Sequence, residues 1–205
     1  MIKAIVFDMG GVLIDLHYEK CVKAYKSIGF ENICDYLDPC HQKGIYGEME
    51  AGKVSADEFY DFVLSQCNPG TTRQDIDHCM KSFYTGPSRD KADYLKGLKR
   101  RGYPIYMLSN NNPIMMRICD DDFSKVGIGI TSFFDKAFIS SSMKMLKPGQ
   151  EIYLEAIRQI GMEPSEILFI DDSPINTEAA RKAGMTAVDY KPGEDLASKI
   201  ESYLC

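Results

Sequence analysis

Five short apolar runs punctuate the chain, and each stops at a polar residue or a turn. Residues 3–7 (KAIVF), 104–108 (PIYML), 136–140 (KAFIS), 166–170 (EILFI) and 186–190 (TAVDY) are rich in β-branched and aromatic side chains. Mostly apolar rather than alternating, they predict strands buried on both faces. Between them the period lengthens. Residues 88–101 put Leu95 and Leu98 on one helical face, 150–160 do so with Ile152, Ala156 and Ile160, and 175–183 with Ala179, Ala180 and Ala183. A further helix is predicted over 113–122. Gly102, Gly161 and Gly184 stand where helix C-caps are expected. Strands alternating with helices predict an α/β fold, a Rossmann-like and mostly parallel sheet with helices on both faces.

Residues 16–87 break this rhythm. Strand signal is weak there, and amphipathic segments are predicted over about 18–28, 32–44, 56–67 and 72–84. Gly29, the run Gly47-Glu48-Met49-Glu50-Ala51-Gly52 and Asn68-Pro69-Gly70 separate them. Ser55 followed by Glu58 is a capping-box pattern, and Thr72 with Asp75 is a weaker relative of it. A structureless loop of this length does not belong inside a compact sheet domain. The expectation is an inserted small helical cap over 16–87, on a core formed by 1–15 and 88–205. It would stand over the carboxyl edge of the sheet, where open α/β sheets bind ligands.

Composition narrows the partners. The chain has 205 residues, 44% hydrophobic and 26% charged, as expected of a globular protein with a real core. With 24 basic and 30 acidic side chains the formal charge is -6, which argues against nucleic acid or an anionic membrane surface as partner. A small anion remains admissible, because a metal ion and a few aimed donors can dominate one pocket. No apolar stretch approaches the roughly 18 residues that cross a bilayer. Only four apolar residues follow Lys3 before Asp8, so a secretory pattern is absent and a cytoplasmic location is expected. The seven cysteines are then expected to be thiols, and their spacing shows no paired metal-ligand pattern.

The strand ends carry the candidate chemistry. Asp8 follows the first strand, Ser109 and Asn110 the second, and Asp171 with Asp172 the EILFI strand. Parallel strands present these ends on one edge. Lys147 sits in KMLKPG ahead of a predicted helix. Adjacent carboxylates at the end of an apolar strand are costly unless positive charge compensates them. A hard divalent cation does so, and three carboxylates from Asp8, Asp171 and Asp172 suit Mg²⁺ with several waters retained.

These segments, taken together and in order, resemble the haloacid-dehalogenase-like hydrolase superfamily over essentially the whole chain. VFDMGGVLID (residues 6–15) is similar to its nucleophile motif, MLSNN (107–111) to its second motif, KPGQEIY at Lys147 to its lysine motif, and FIDDSPINTEAARKAGM (169–185) to its acidic motif. The insertion between the first two motifs is where the family places a helical cap. The resemblance implies a Mg²⁺-dependent phosphatase of a small phosphorylated metabolite, either monomer or homodimer. Asp8 would be the nucleophile that forms an aspartyl-phosphate. Ser109 and the backbone N–H of Asn110 would hold the phosphoryl oxygens, with Lys147 supplying charge. Asp8, the carbonyl of Gly10 and Asp172, the favoured direct ligand, would serve the metal, with Asp171 a second ligand or acting through a bound water and Asn176 orienting the cluster. Within the family, FDMGGV and the LSN, KP and DDS forms look closest to bacterial sugar-phosphate phosphatases, including one acting on α-D-glucose 1-phosphate.

One position departs from the family. Most of its phosphatases carry an aspartate two residues after the nucleophile, which protonates the leaving group and then activates water. Here that position is Gly10. A glycine there is compatible with an anomeric phosphate, whose leaving group is a comparatively acidic hemiacetal. It is also compatible with a proton donor from the cap, such as His41. A haloacid dehalogenase tolerates the glycine but leaves the Asp171-Asp172 pair without a purpose; a mutase or phosphonate hydrolase would need its own acid–base group or a lysine Schiff base. A non-catalytic binding module would show no Mg²⁺-dependent hydrolysis. For substrate recognition the cap offers His41, Gln42, Lys43, Tyr46, Glu48 and Glu50, with His41 and Lys43 the candidates.

Overall fold

The computed structural model of the chain describes residues 1–38 and 42–204. The five apolar runs form one parallel sheet. Its strands are β1 (Ala4–Phe7), β4 (Ile105–Ser109), β5 (Lys136–Ile139), β6 (Ile167–Asp171) and β7 (Thr186–Asp189), in the order β5-β4-β1-β6-β7. Two further strands, β2 (Asp15–Leu16) and β3 (Tyr84–Thr85), pair antiparallel outside it.

Both sheet faces are covered, which is why the strands read as unbroken apolar runs. Ala4, Val6, Ile167 and Phe169 point to one face, with Ile152, Tyr153 and Ala156 of α9 (Gln150–Ile160) and Ala179 and Ala180 of α10 (Pro174–Lys182). Tyr153 meets Phe169 edge-on with ring centroids 5.7 Å apart. Ile5, Phe7, Leu168 and Ile170 take the opposite face. There they meet Leu95 and Leu98 of α5 (Arg89–Arg100), Cys119 and Phe123 of α6 (Pro113–Lys125), and Ile200 of α11 (Leu196–Glu201). Short helices α7 (Ile130–Phe133) and α8 (Ser140–Met143) flank β5. Burying one such side chain contributes roughly 1.5–3 kcal/mol.

The insertion between β2 and β3 contains α1 (Tyr18–Ser27), α2 (Gly44–Glu50), α3 (Ala56–Gln66) and α4 (Arg73–Lys81). The β2–β3 ladder closes its base: Asp15 pairs with Thr85 and Leu16 with Tyr84, and the His17 amide donates to the Phe83 carbonyl at 2.6 Å. Two-residue strands carry too little periodicity to be read from sequence. Both expected capping boxes are present, Ser55 with Glu58 and Thr72 with Asp75. The segment expected to be helical over 32–44 is different. It holds a 3₁₀ turn, Glu31–Asp35, and the next helix begins only at Gly44. Residues 39–41 of it lie outside the described residues; a proline at 39 disfavours helical geometry at Asp38. The run from Gly47 to Glu50, expected to be a separator, is instead helix. Tyr46 and Met49, three residues apart, bury one face of it. Among the described residues no helix is long and apolar enough to cross a membrane.

Candidate active site

Strand polarity brings the polar strand ends together. β1 is central, with β4 on one side and β6 on the other, so the chain reverses its direction of sheet growth beside β1. Open α/β sheets form their ligand crevice at such a point. Asp8 leaves β1 there, its amide donating to the Ile170 carbonyl at 2.8 Å. Ser109 ends β4, Asp171 ends β6, and Ser140 follows β5. Asp8, Ser109, Ser140 and Asp171 are all buried.

Lys147 joins two of these ends. Its Nζ lies 2.9 Å from Asp8 Oδ1 and 2.7 Å from Asp171 Oδ2. The loop that carries it is latched by Asn110. The Asn110 Nδ2 donates to the Lys147 carbonyl at 2.9 Å, and the Lys147 amide donates to Asn110 Oδ1 at 2.8 Å. The sequence suggested a backbone donor at Asn110; the side chain's role, holding the lysine in place, gave no signal there.

The two acidic neighbours play unequal parts. Asp171 is fully buried and committed: its Oδ1 accepts from the Ser173 amide at 2.8 Å and from Asn176 Nδ2 at 3.0 Å, while Oδ2 faces Lys147. Asp172 makes no side-chain hydrogen bond or ion pair with another described residue, and it lines the cavity. Its carboxylate passes against Gly11, where a Cβ would fall 2.1 Å from Asp172 Oδ2. Gly11 also has φ +69°, so both space and backbone demand glycine there. The side chain of Asn176 orients Asp171, as expected, yet its own Oδ1 is buried without a partner.

Charge in this cluster does not balance. Burial pushes the Asp8 carboxyl up to about 7; Lys147 pulls it down, and Asp171 and Asp172 push it up again. Burial, then Asp171, also holds Asp172 above the ordinary carboxylate range. Burial works against the Lys147 ammonium, but Asp171 and Asp8 outweigh it and its net shift is upward. One ammonium among three carboxylates leaves the group short of positive charge. Asp8, Asp171 and Asp172 each offer an oxygen, all within 4.8 Å of one another. This donor set, with an orphaned acceptor at Asn176 beside it, fits a hard cation that keeps bound waters, as Mg²⁺ does.

Asp8 and Asp172 form the floor of a cavity of about 390 Å³, with Asp171 buried behind them. Gly10, Ser109, Asn110 and Lys147 line it from the core side, and Tyr25, Gln42, Tyr46 and Glu50 from the insertion. Tyr25 and Tyr46 are buried, and their hydroxyls interact with each other. The space beside Gly10 is taken by Leu16, whose Cδ1 would lie 3.3 Å from a Cβ on residue 10. Of the two cap candidates, His41 lies outside the described residues. Lys43 is exposed and pairs with Asp38 at 3.5 Å, and it is not among the cavity-lining residues. Its neighbour Gln42 takes a place in the wall instead. The tyrosines come from apolar helical faces, and Glu50 is the last residue of α2, in a glycine-bounded run where sequence offers little to single it out. A buried Tyr46 three residues before Met49 was the available hint.

Glu50 is also tied to the core. The Ser140 hydroxyl donates to the Glu50 carbonyl at 2.7 Å and accepts from the Asn111 amide at 2.9 Å. Two residues on, Gly52 has φ +68°, and a Cβ there would fall 2.2 Å from the Ser141 carbonyl oxygen. The end of α2 therefore sits backbone-to-backbone against α8.

Comparison with known proteins gives a consistent outcome. The family model for haloacid dehalogenase-like hydrolases matches residues 2–184. The D-ribitol-5-phosphate phosphatase of Bacteroides thetaiotaomicron is 36% identical over 201 residues, covering 98% of this chain and 97% of its own. A haloacid-dehalogenase-family enzyme of the same organism, crystallised with magnesium and inorganic phosphate, superposes with a TM-score of 0.88 at 34% identity, covering 97% of this chain and 98% of its own. A predicted HAD-like family hydrolase from Porphyromonas gingivalis gives 0.89 at 36% identity, covering 100% and 98%.

Proposed function

The chain belongs to the haloacid dehalogenase-like hydrolases, and on that premise we propose that it is a Mg²⁺-dependent phosphatase of small sugar or sugar-alcohol phosphates. The observation that carries this reading is the Asp8–Lys147–Asp171 bridge with Asp172 free beside it, lining the cavity. A structural relative crystallised with magnesium and inorganic phosphate and a sequence relative named a D-ribitol-5-phosphate phosphatase support the same reading.

The roles follow from the chemistry of each group. The Asp8 carboxylate attacks phosphorus and becomes an aspartyl-phosphate, dividing one hard displacement into two easier ones. The Ser109 hydroxyl and the Asn110 amide donate to the phosphoryl oxygens, and Lys147 places a compact positive charge beside them. Asp171 holds Lys147, and Asn176 holds Asp171. Mg²⁺, bound by Asp8, Asp172 and the Gly10 carbonyl, with Asp171 a further ligand or acting through a bound water, would screen repulsion between nucleophile and substrate.

The insertion, residues 16–87, acts as the cap that encloses the substrate. Tyr25, Tyr46 and Gln42 offer hydroxyl and amide groups suited to a polyol. The free thiols of Cys21, Cys34, Cys67, Cys79 and Cys119 support a reducing, cytoplasmic setting. A narrower reading, preference for an anomeric phosphate such as α-D-glucose 1-phosphate, is favoured by Gly10 alone, since a hemiacetal leaves without much help. A panel of sugar and sugar-alcohol phosphates, assayed with Mg²⁺ and with EDTA, tests both. Asp8→Asn must abolish turnover, and equal rates for it and wild type would refute the mechanism. Preference for glucose 6-phosphate over glucose 1-phosphate would refute the anomeric reading.

A further inference from the structure

We infer that Glu50, reaching the site from the cap, is the general acid and base that Gly10 cannot supply. The inference rests on the phosphatase reading and deepens it. Hydrolysis of an alkyl phosphate needs a proton for the departing alkoxide and then a base for the attacking water. On the core side of the cavity, Asp8, Asp171 and Asp172 are given over to nucleophile, metal and lysine. Leu16 fills the space a side chain on residue 10 would enter. The Glu50 carboxyl is the remaining carboxyl among the described residues that line the cavity.

Its placement is built rather than accidental. The Ser140 hydroxyl, itself buried at the end of β5, holds the Glu50 carbonyl at 2.7 Å. Gly52 brings the following turn against the Ser141 carbonyl. The backbone that carries the Glu50 carboxyl is thereby registered to the same sheet edge that presents Asp8. Burial pushes the Glu50 carboxyl up to about 8, with Lys147 pulling it down and Asp8 pushing it up. Lys144, after α8, comes up to Gly52 from the remaining side. A carboxyl held mostly protonated near neutral pH can give a proton, and its conjugate base can take one back.

The two steps balance. Asp8 forms a bond to phosphorus as the bond to the leaving oxygen breaks, and the Glu50 proton passes to that oxygen, releasing an alcohol. The Glu50 carboxylate then takes a proton from water as the water oxygen bonds to phosphorus. The Asp8–phosphorus bond breaks, phosphate departs, and Glu50 is again protonated.

The test compares Glu50→Gln with wild type and Asp8→Asn, with Mg²⁺, on two esters. One is the best alkyl phosphate from the panel; the other is 4-nitrophenyl phosphate, whose leaving group needs no protonation. Glu50→Gln should lose roughly 10²–10⁴ in kcat on the alkyl ester. On the aryl ester it should release one equivalent of nitrophenolate in a burst, then turn over slowly while phosphate accumulates on Asp8. The burst also shows that the variant is folded. Unchanged kcat on the alkyl ester would overturn the assignment. So would equal losses in the first step on both esters with no trapped phosphoenzyme. Wild-type inactivity on both esters, or activity in Asp8→Asn equal to wild type, would instead bring down the phosphatase reading and the role of Glu50 with it.

Discussion

Gly11 and Asp172 share a space that admits only one side chain. With φ at +69° and a would-be Cβ 2.1 Å from Asp172 Oδ2, residue 11 must be glycine for Asp172 to point into the cavity. Gly11→Ala should lower Tm by several degrees, since the left-handed backbone alone costs roughly 1–2 kcal/mol, and should weaken Mg²⁺ binding roughly 10–100-fold. Gly10→Ala is the contrast: Leu16 Cδ1 needs to yield by only a few tenths of an ångström, so Tm should stay within about 2 °C. Calorimetry with a Mg²⁺ titration reads both. Equal penalties at the two positions would contradict this packing.

That pair also shows what sequence could and could not disclose. Strands buried on both faces need uninterrupted apolar residues, so β1, β4, β5, β6 and β7 stood out. Carboxylates at the ends of such strands are costly, so Asp8, Asp171 and Asp172 stood out too. Only the family resemblance favoured Asp172 over Asp171 as the free acid; the residues alone did not, because Asp171 is tied down by Lys147 from another segment and by the turn that brings the Ser173 amide and Asn176 onto it. Glu50 lies within a glycine-bounded run that resembles a separator, although the burial of Tyr46 and Met49 makes it the end of a helix. Ser140 opens a plain serine run, and nothing local distinguishes it. Contacts between distant segments carry this information, and a single sequence does not display them.

Metal removal should be visible in stability as well as rate. Asp8 and Asp172 are drawn together only at a cost in repulsion, which a cation relieves. Mg²⁺ at a hundred times its Kd adds about 2.7 kcal/mol, or roughly 5–10 °C in Tm for a chain of this size. Asp172→Asn should lose most of that gain while keeping a normal Tm in EDTA. A Mg²⁺-dependent shift as large as wild type's would remove Asp172 from the ligand set.

Lys147 neutralises two carboxylates at once, and its loop depends on Asn110. Lys147→Met leaves Asp171 buried opposite Asp8 with no cation between them. It should cost roughly 10² or more in kcat and lower Tm, more so as pH rises and Asp8 ionises. Asn110→Ala keeps the ammonium but releases the backbone it is latched to. A smaller kcat loss, about 10-fold, is expected, with Tm down by a few degrees for the two lost hydrogen bonds. If Asn110→Ala proved as damaging as Lys147→Met, the side-chain amide would be doing more than positioning.

Ser140 offers a way to loosen Glu50 without altering its carboxyl. Ser140→Ala removes the hydroxyl that holds the Glu50 carbonyl, at a cost of about 0.5–1.5 kcal/mol in stability. A merely structural role would lower turnover of alkyl and aryl phosphates alike. A role in placing the proton donor predicts about a 10-fold loss in kcat on the alkyl ester with release of the aryl leaving group unaffected. Parallel losses would make Ser140 a packing residue only.

The Glu50 carboxyl also makes stability depend on pH in a definite direction. Its ordinary value is 4.5, and in the folded chain burial and Asp8 raise it to about 8 against the pull of Lys147. Between those values the folded state binds more protons than the unfolded one, so this group's contribution falls as pH rises. The favourable term is fully present below 4.5 and is lost as pH passes 8. Glu50→Gln removes the ionisation. Its Tm relative to wild type should therefore climb from pH 5 to pH 8 by several degrees and level off above that. The scan belongs in EDTA, so that bound metal does not alter the field from Asp8. Asp8 itself, raised to about 7 by burial, is present in both proteins and drops out of the difference to first order. Parallel Tm profiles for the two proteins would show that Glu50 ionises as an ordinary surface carboxylate, and its part in proton transfer would lose its physical basis.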